Sequence, residues 1–312
     1  MLVAARVCTA AVTVLLFSCS GPSTRGPSRQ ASAGSPAAAE GPPAATRFAW
    51  PVPARVAVHE TSTLAGQDIE LRYFLDITNA GGGALRVAIA DVAHDRVGDL
   101  DFSDPANHRL IATMNAMRSN LPSFLVSSAG AFADLQGTDR YAEQIATLAG
   151  APLSAVDIRV LEQELLEATE LPWAALVGHW RLPRLPDVGE SIVVHDSPHS
   201  WRRWTLEQTH DGGAVEMTLV RHDESTPGGE VAPEVMTTIN SNDGIANVVR
   251  YTVTERASVL THPRNLMPQR ASSELQVKVW LEGQETPLVR SDTRRFELRF
   301  VAPTATGSPE NR

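Results

Sequence analysis

The sequence predicts an α+β fold, a large curved antiparallel sheet with a mid-chain block of about three helices packed on one face. Three observations predict it. Apolar and polar residues alternate with a period of two before about residue 90 and again after Gly189. Between those regions the apolar spacing lengthens to that of helices. The last two alternating segments each carry one apolar and one charged face, the pattern of an antiparallel sheet that is wet on one side.

Strand patterning begins near Arg55. Ile69, Leu71, Tyr73, Leu75 and Ile77 alternate with Glu70, Arg72, Phe74, Asp76 and Thr78. Asn79 to Gly83 reads as a turn, and Leu85, Val87 and Ile89 return as the second strand of a hairpin. Asp104-Pro105 suits the start of a helix whose face is Leu110, Ile111, Met114 and Met117. Phe124 to Val126 and Phe132 to Leu135 read as a short hairpin around Gly130, and Tyr141, Ile145 and Leu148 as a second helix. Ser154 and Asp157 fit a capping box, followed by the stripe Val156, Val160, Leu161 and Leu165. Pro172 is expected to start a shorter piece carrying Trp173 and Leu176, since proline removes a helical donor.

Beyond Gly189 the pattern is nearly all strand. Val215, Met217 and Leu219 share one side, as do Val249, Tyr251 and Val253. Leu275, Val277, Val279 and Leu281 oppose Glu274, Gln276, Lys278 and Trp280, and Phe296, Leu298 and Phe300 oppose Arg295, Glu297 and Arg299. The two segments read as adjacent strands whose Lys278, Glu297 and Arg299 pair across the ladder. No fixed-period repeat is present, which argues against a solenoid or propeller.

The chain has 312 residues, 36 acidic against 27 basic, and a formal charge of −9. It carries no basic cluster, so nucleic acid is not an expected partner. Residues 1–18 read as an export signal, with Arg6 before the apolar run Val7 to Phe17, too short for the roughly 20 residues of a membrane span. The segment ends Leu16-Phe17-Ser18-Cys19, which resembles the lipobox of bacterial lipoproteins. That resemblance implies that the Cys19 thiol carries diacylglycerol, that the signal is removed, and that Ser20 sends the protein to the periplasmic side of the outer membrane. Inner membrane and cell surface remain open, as does simple secretion with cleavage near Ser18 or Ser20. Two or three acyl chains suffice for stable anchoring. With Cys8 removed and Cys19 lipidated, the body would hold no cysteine, hence no disulfide, thiol nucleophile or thiolate metal site.

Residues 19–46 are almost entirely Gly, Pro, Ser and Ala, a composition expected to form a disordered spacer. A single α+β domain is expected over 47–302 and a disordered tail over 303–312. Lipobox, spacer, strands, mid-chain helices and then Leu185-Pro186-Asp187-Val188-Gly189-Glu190 opening a strand series are similar to a type of uncharacterised bacterial lipoprotein. The outline also resembles the curved half-barrel lipoprotein carriers. That resemblance implies a concave apolar face that holds acyl chains, and it implies no catalysis.

The candidate sites read as structure. His195 and His199 are four apart, but Pro198 excludes a helix, and no third ligand is near, so a solvated loop is expected rather than a metal site. His59-Glu60 lacks the second histidine of the zinc-protease signature, because position 63 is Thr63. Gly81-Gly82-Gly83 lacks the lysine and hydroxyl of a phosphate loop, and Ser127-Ser128-Ala129-Gly130 lacks a nucleophile elbow. In Trp201-Arg202-Arg203-Trp204 the period of two puts the rings on opposite faces, with Trp204 in the core and Trp201 at the rim. No catalytic residue, metal ligand or cofactor motif is assigned. The expectation is a non-enzymatic, lipid-anchored envelope protein whose sheet binds an apolar ligand or another lipoprotein. A structural or interaction module of an envelope complex, and a hydrolase with dispersed residues, are the alternatives. A carrier requires an apolar cavity of several hundred Å³.

Overall fold

The computed structural model describes residues 45–301 other than 65, 119, 226–234, 236–237 and 240–247, and omits the side chains at 156, 163, 164 and 167. The export signal, Cys19, the linker up to residue 44 and the 303–312 tail lie outside the described residues. Thr46, grouped by composition with the linker, exchanges hydrogen bonds with Leu182.

Strand β1 (Ala54–Leu64) alternates buried with part-exposed residues and pairs with β2 (Gln67–Gly81), Val58 opposite Tyr73. Gly81, Gly82 and Gly83 all have positive φ and turn the chain into β3 (Ala84–Val97), the expected hairpin. The short strands β4 (Ser123–Val126) and β5 (Phe132–Gln136) continue this first meander. A second meander holds β6 (Ser191–Ser197), β7 (Ser200–Thr209), β8 (Val215–Ser225), β9 (Val248–His262), β10 (Met267–Leu281) and β11 (Leu288–Val301). The first and last strands join the two meanders, with Arg55 opposite Val301 and Thr63 opposite Thr293. One eleven-stranded antiparallel sheet results, in the order β5-β4-β3-β2-β1-β11-β10-β9-β8-β7-β6.

Three helices occupy the middle of the chain: α1 (His108–Arg118) between β3 and β4, and α2 (Thr138–Ala149) and α3 (Ala155–Leu176) between the two meanders. Asp104 caps a 3₁₀ turn, Pro105–Asn107, that runs straight into α1. The capping box forms as expected, Ser154 Oγ accepting from the Asp157 N–H while the Asp157 carboxylate accepts from the Ser154 N–H. Helix α3 leads through the 3₁₀ turn Gly178–Trp180 across the inner face. Trp173 Nε1 donates to the Gly130 carbonyl between β4 and β5, and Trp204 Nε1 on β7 donates to the His179 carbonyl. In a flat sheet β4 and β7, eight strand steps apart, would stand about 38 Å apart. The stretch from Trp173 to His179 is helical or 3₁₀ and spans only about 9–12 Å. The sheet therefore curls around this segment.

Several expectations need correction. Pro172 lies inside α3 and starts nothing new. It removes one helical hydrogen bond, but Trp173 and Leu176 are both buried and hold the last turn against the sheet. Leu161 and Leu165 are buried whereas Val160 is 49% exposed, because the buried stripe runs through Leu161, Leu165 and Trp173. Leu148, in the last turn of α2 before the Gly150 cap, is 39% exposed, and the buried residues of the helix are Tyr141, Ala142 and Ile145. Val249 is 44% exposed and does not share a side with Tyr251 and Val253, because it is the unpaired residue of a bulge between Val248 opposite Leu281 and Arg250 opposite Trp280. Lys278, Glu297 and Arg299 do not face one another. Lys278 stands between Val289 and Thr252, Glu297 between His59 and Arg270, and Arg299 opposite Ala57.

The main core cluster gathers residues from most of the strands around Trp173, Leu176 and Trp180. Phe48 and Trp50, ahead of β1, join it. The Trp50 ring centroid lies 5.2 Å from those of both Trp173 (tilted) and Phe300 (edge to face), and its Nε1 donates to the Leu266 carbonyl at 2.7 Å. A second cluster lies between the helices and a third at the far end of β9 and β10. No helix among the described residues is long and apolar enough to cross a membrane.

Candidate functional site

Alternation puts residues 56, 58, 60, 62 and 64 of β1 on the inner face, and two of these are polar. Glu60 and Ser62 are buried there beside Val58 and Leu64. The neighbouring positions across the ladder are Leu71 and then His94 on one side of Glu60, and Phe296 on the other. Arg294 faces Ser62 from β11. Helices α1 and α3 approach this patch without filling it. They leave a cavity of about 110 Å³ whose walls include Leu71, Leu75, Ile89, Leu165 and Trp173.

One side of the cavity is apolar and the other is a polar wall. Tyr73 donates its hydroxyl to Glu60 Oε2 at 3.2 Å. Burial pushes the Glu60 carboxyl above its ordinary value, and Arg294 and the Tyr73 hydroxyl offset this only in part. Burial and the neighbouring Glu60 likewise raise the Tyr73 hydroxyl well above its usual range. Arg118, the last residue of α1, donates Nη1 to the Val92 carbonyl at 3.2 Å and to Asn115 at 2.9 Å. Desolvation lowers it to about 10, and no described carboxylate pairs with it. Its Nε, both ring nitrogens of His94 and the Ser62 hydroxyl are buried without a hydrogen-bond partner among the described residues. Unmet buried donors are uncommon, and each costs free energy unless something else meets it.

A second inward polar group contrasts with this wall because its members satisfy one another. His179 Nε2 lies 3.5 Å from Glu255, and Arg221 lies 3.7 Å from Glu255 and 2.6 Å from Asp223. Burial pushes the Glu255 carboxyl up, but His179 and Arg221 outweigh burial and hold it below its ordinary value.

The raised carboxyl makes a testable prediction. A folded-state value above the unfolded one means that the native chain holds more protons, so stability falls as pH rises from about 4.5 through the folded value. Glu60→Gln removes that slope, so the variant gains on the wild type across the same window. Urea unfolding of both proteins at several pH values checks this, and parallel profiles would contradict it.

The residues singled out from sequence fall elsewhere. Cys19 lies outside the described residues. His195 sits on the exposed edge strand β6, opposite Trp201, and not in a loop, because β6 and β7 continue to a tight turn around Pro198 and His199. Asp196 between them is taken by Arg202 at 2.7 Å. Among the described residues no three His, Cys, Asp or Glu side chains are placed to hold a metal. His59 bonds Glu70 at 2.8 Å on the outer face. Ser127 Oγ accepts the N–H groups of Ala129 and Ala131 within its own turn. Trp204 is buried, while Trp201 stacks on His222 at 5.8 Å near the sheet edge, as expected. The inner-face wall itself went unread. Its signal was a glutamate and a serine standing in phase with Val56, Val58 and Leu64, and an arginine in phase with Phe296 and Leu298.

No protein-family model matches the chain. No curated protein sequence matches it either. Among solved structures it is similar to one titled "Lipid-protein interactions in lipovitellin", at 13% identity and a TM-score of 0.41. The match covers 82% of this chain and 26% of that one, so this chain spans about a quarter of its length. Nothing about the cavity rests on that likeness.

Proposed function

We propose that the protein is a non-enzymatic, lipid-anchored envelope protein that holds a short acyl chain between α3 and the inner face of β1 to β3. The cavity carries the binding half of this reading. Its lining is mostly large apolar side chains with a few polar groups, Glu60, Ser62, His94, Arg118 and Arg294 among them, the composition of a ligand pocket. At about 110 Å³ it falls short of the roughly 300–1,000 Å³ of pockets for drug-sized ligands, because Trp173 and Met117 occupy space that a wide trough would leave open. One narrow chain fits that size better than a whole lipoprotein's acyl set. The anchoring half rests on Leu16-Phe17-Ser18-Cys19, and Ser20 supports the periplasmic side of the outer membrane.

Native mass spectrometry of the full chain carrying Cys19→Ala tests the binding half. A co-purifying species of discrete lipid mass is expected, and a bare chain in every preparation overturns it. Labelled palmitate should enter the wild type and not the Cys19→Ala chain, which tests the anchor separately.

The alternative of an interaction module is favoured by β6. It is an edge strand, so one row of its backbone groups is unpaired, and it exposes Val193 and Val194. Addition of a partner strand there is the mode that geometry allows.

A further inference from the structure

We infer that the cavity's ligand is a single-chain fatty acid bound with its carboxylate against Arg118, His94 and Ser62. This deepens the proposed acyl-binding reading and rests on it. The inference comes from three observations on one wall.

First, the unmet groups are mostly donors. The Arg118 Nε–H and the Ser62 hydroxyl face no acceptor among the described residues, and His94 carries at least one ring N–H in either protonation state. Second, the charge on that wall is uneven. Two guanidinium groups, Arg118 and Arg294, line the cavity with one carboxyl, Glu60. Arg294 acts on Glu60, which leaves Arg118 as a half-buried cation without a described counter-ion. Its present partners are a neutral carbonyl and a neutral amide. Third, all three groups line the same cavity. Arg118 is tied to the Val92 carbonyl, two residues along β3 from His94, His94 stands across the ladder from Leu71, next to Glu60, and Ser62 is two residues along β1 from Glu60.

A carboxylate supplies what is missing. It can accept from a guanidinium, an imidazole N–H or a hydroxyl, and it brings the negative charge that no described residue brings to Arg118. An uncharged head group of similar size satisfies fewer donors and neutralises nothing. The remaining walls are apolar, so the chain of the fatty acid runs toward Leu165 and Trp173 while its head stays on the strand side. Only one chain is accommodated, because the cavity is about 110 Å³.

The test compares pentanoate with 1-pentanol, probes short enough for a cavity of about 110 Å³, followed by Trp fluorescence and calorimetry on the full chain carrying Cys19→Ala. It is run at about pH 8, where the carboxylate is ionised. A hydrogen bond to a charged group contributes enough that pentanoate should bind about 10–100-fold tighter than pentanol. Arg118→Met should remove most of that preference, so that the two probes bind the folded variant with similar affinity. His94→Leu should reduce the preference for pentanoate over pentanol by about tenfold, and it stands as the second variant if Arg118→Met does not fold. Equal binding of the two probes by the wild type, or undiminished preference in the folded variants, overturns the carboxylate assignment and leaves acyl binding standing. Failure of the wild type to bind either probe overturns the acyl-binding reading and the assignment with it.

Discussion

Replacing Trp173 by alanine is expected to destabilise the protein by about 3–5 kcal/mol, the range for removing a large buried aromatic. Trp173 is buried where α3 meets the sheet, with ring centroids 5.2 Å from Trp50, 5.4 Å from Phe124 and 6.0 Å from Phe48. Its indole N–H also serves the Gly130 carbonyl at 3.0 Å, which the variant leaves without that donor. Trp173→Phe keeps most of the packing and loses the bond, so it should cost about 1–3 kcal/mol. Urea unfolding of the three proteins measures both steps. A loss below about 1 kcal/mol for the alanine variant would mean that α3 is held chiefly by other contacts. The same substitution widens the cavity, so acyl chains longer than the wild type accepts should bind the variant that remains folded.

Gly130→Ala is expected to be costly for two separable reasons. Its φ of +82° lies in the left-handed region, where a side chain costs about 1–3 kcal/mol. An added Cβ would also stand 2.7 Å from Phe48 Cγ and 2.9 Å from Phe48 Cβ, closer than real Cβ atoms come, so the ring must shift out of the aromatic cluster. Overpacking of that kind adds about 1–3 kcal/mol. Gly137→Ala provides the control, since Gly137 has a φ of +86° and open space where its Cβ would go. Thermal or urea unfolding should show Gly130→Ala the more damaging of the two by at least about 1 kcal/mol. Equal losses would show that Phe48 yields freely.

The strands were legible because a period of two survives wherever one face of a sheet is buried. Val215, Met217 and Leu219, or Phe296 and Leu298, declare their side in any register. The pairing partners were not legible in the same way. Lys278 and Glu297 lie on neighbouring strands, yet which residue faces which depends on the turn between them, which puts Lys278 opposite Val289 and Glu297 opposite Arg270. Val249 failed for a local reason, because it is the extra residue of a bulge in its own strand, left between Val248 opposite Leu281 and Arg250 opposite Trp280. Phe48 and Trp50 carry no period, being isolated aromatics in a proline-flanked lead-in, and only the tertiary fold shows them to be core. The cavity was illegible for a deeper reason. Alternation reports that Glu60 and Ser62 face inward, but whether a helix covers them or leaves room is settled by Trp173, Leu165 and Arg118, more than fifty residues away in sequence.

The pairing of β1 with β11 bears on how the chain is assembled. Hairpins such as β2–β3 or β9–β10 need only neighbouring residues, yet the seam that unites the two halves closes over more than two hundred and twenty positions. Loop closure of that length is slow, and during synthesis the seam must wait for the final strand to emerge. Until then the opening strand has one bare flank at what becomes the middle of the sheet, an unpaired edge open to wrong pairing.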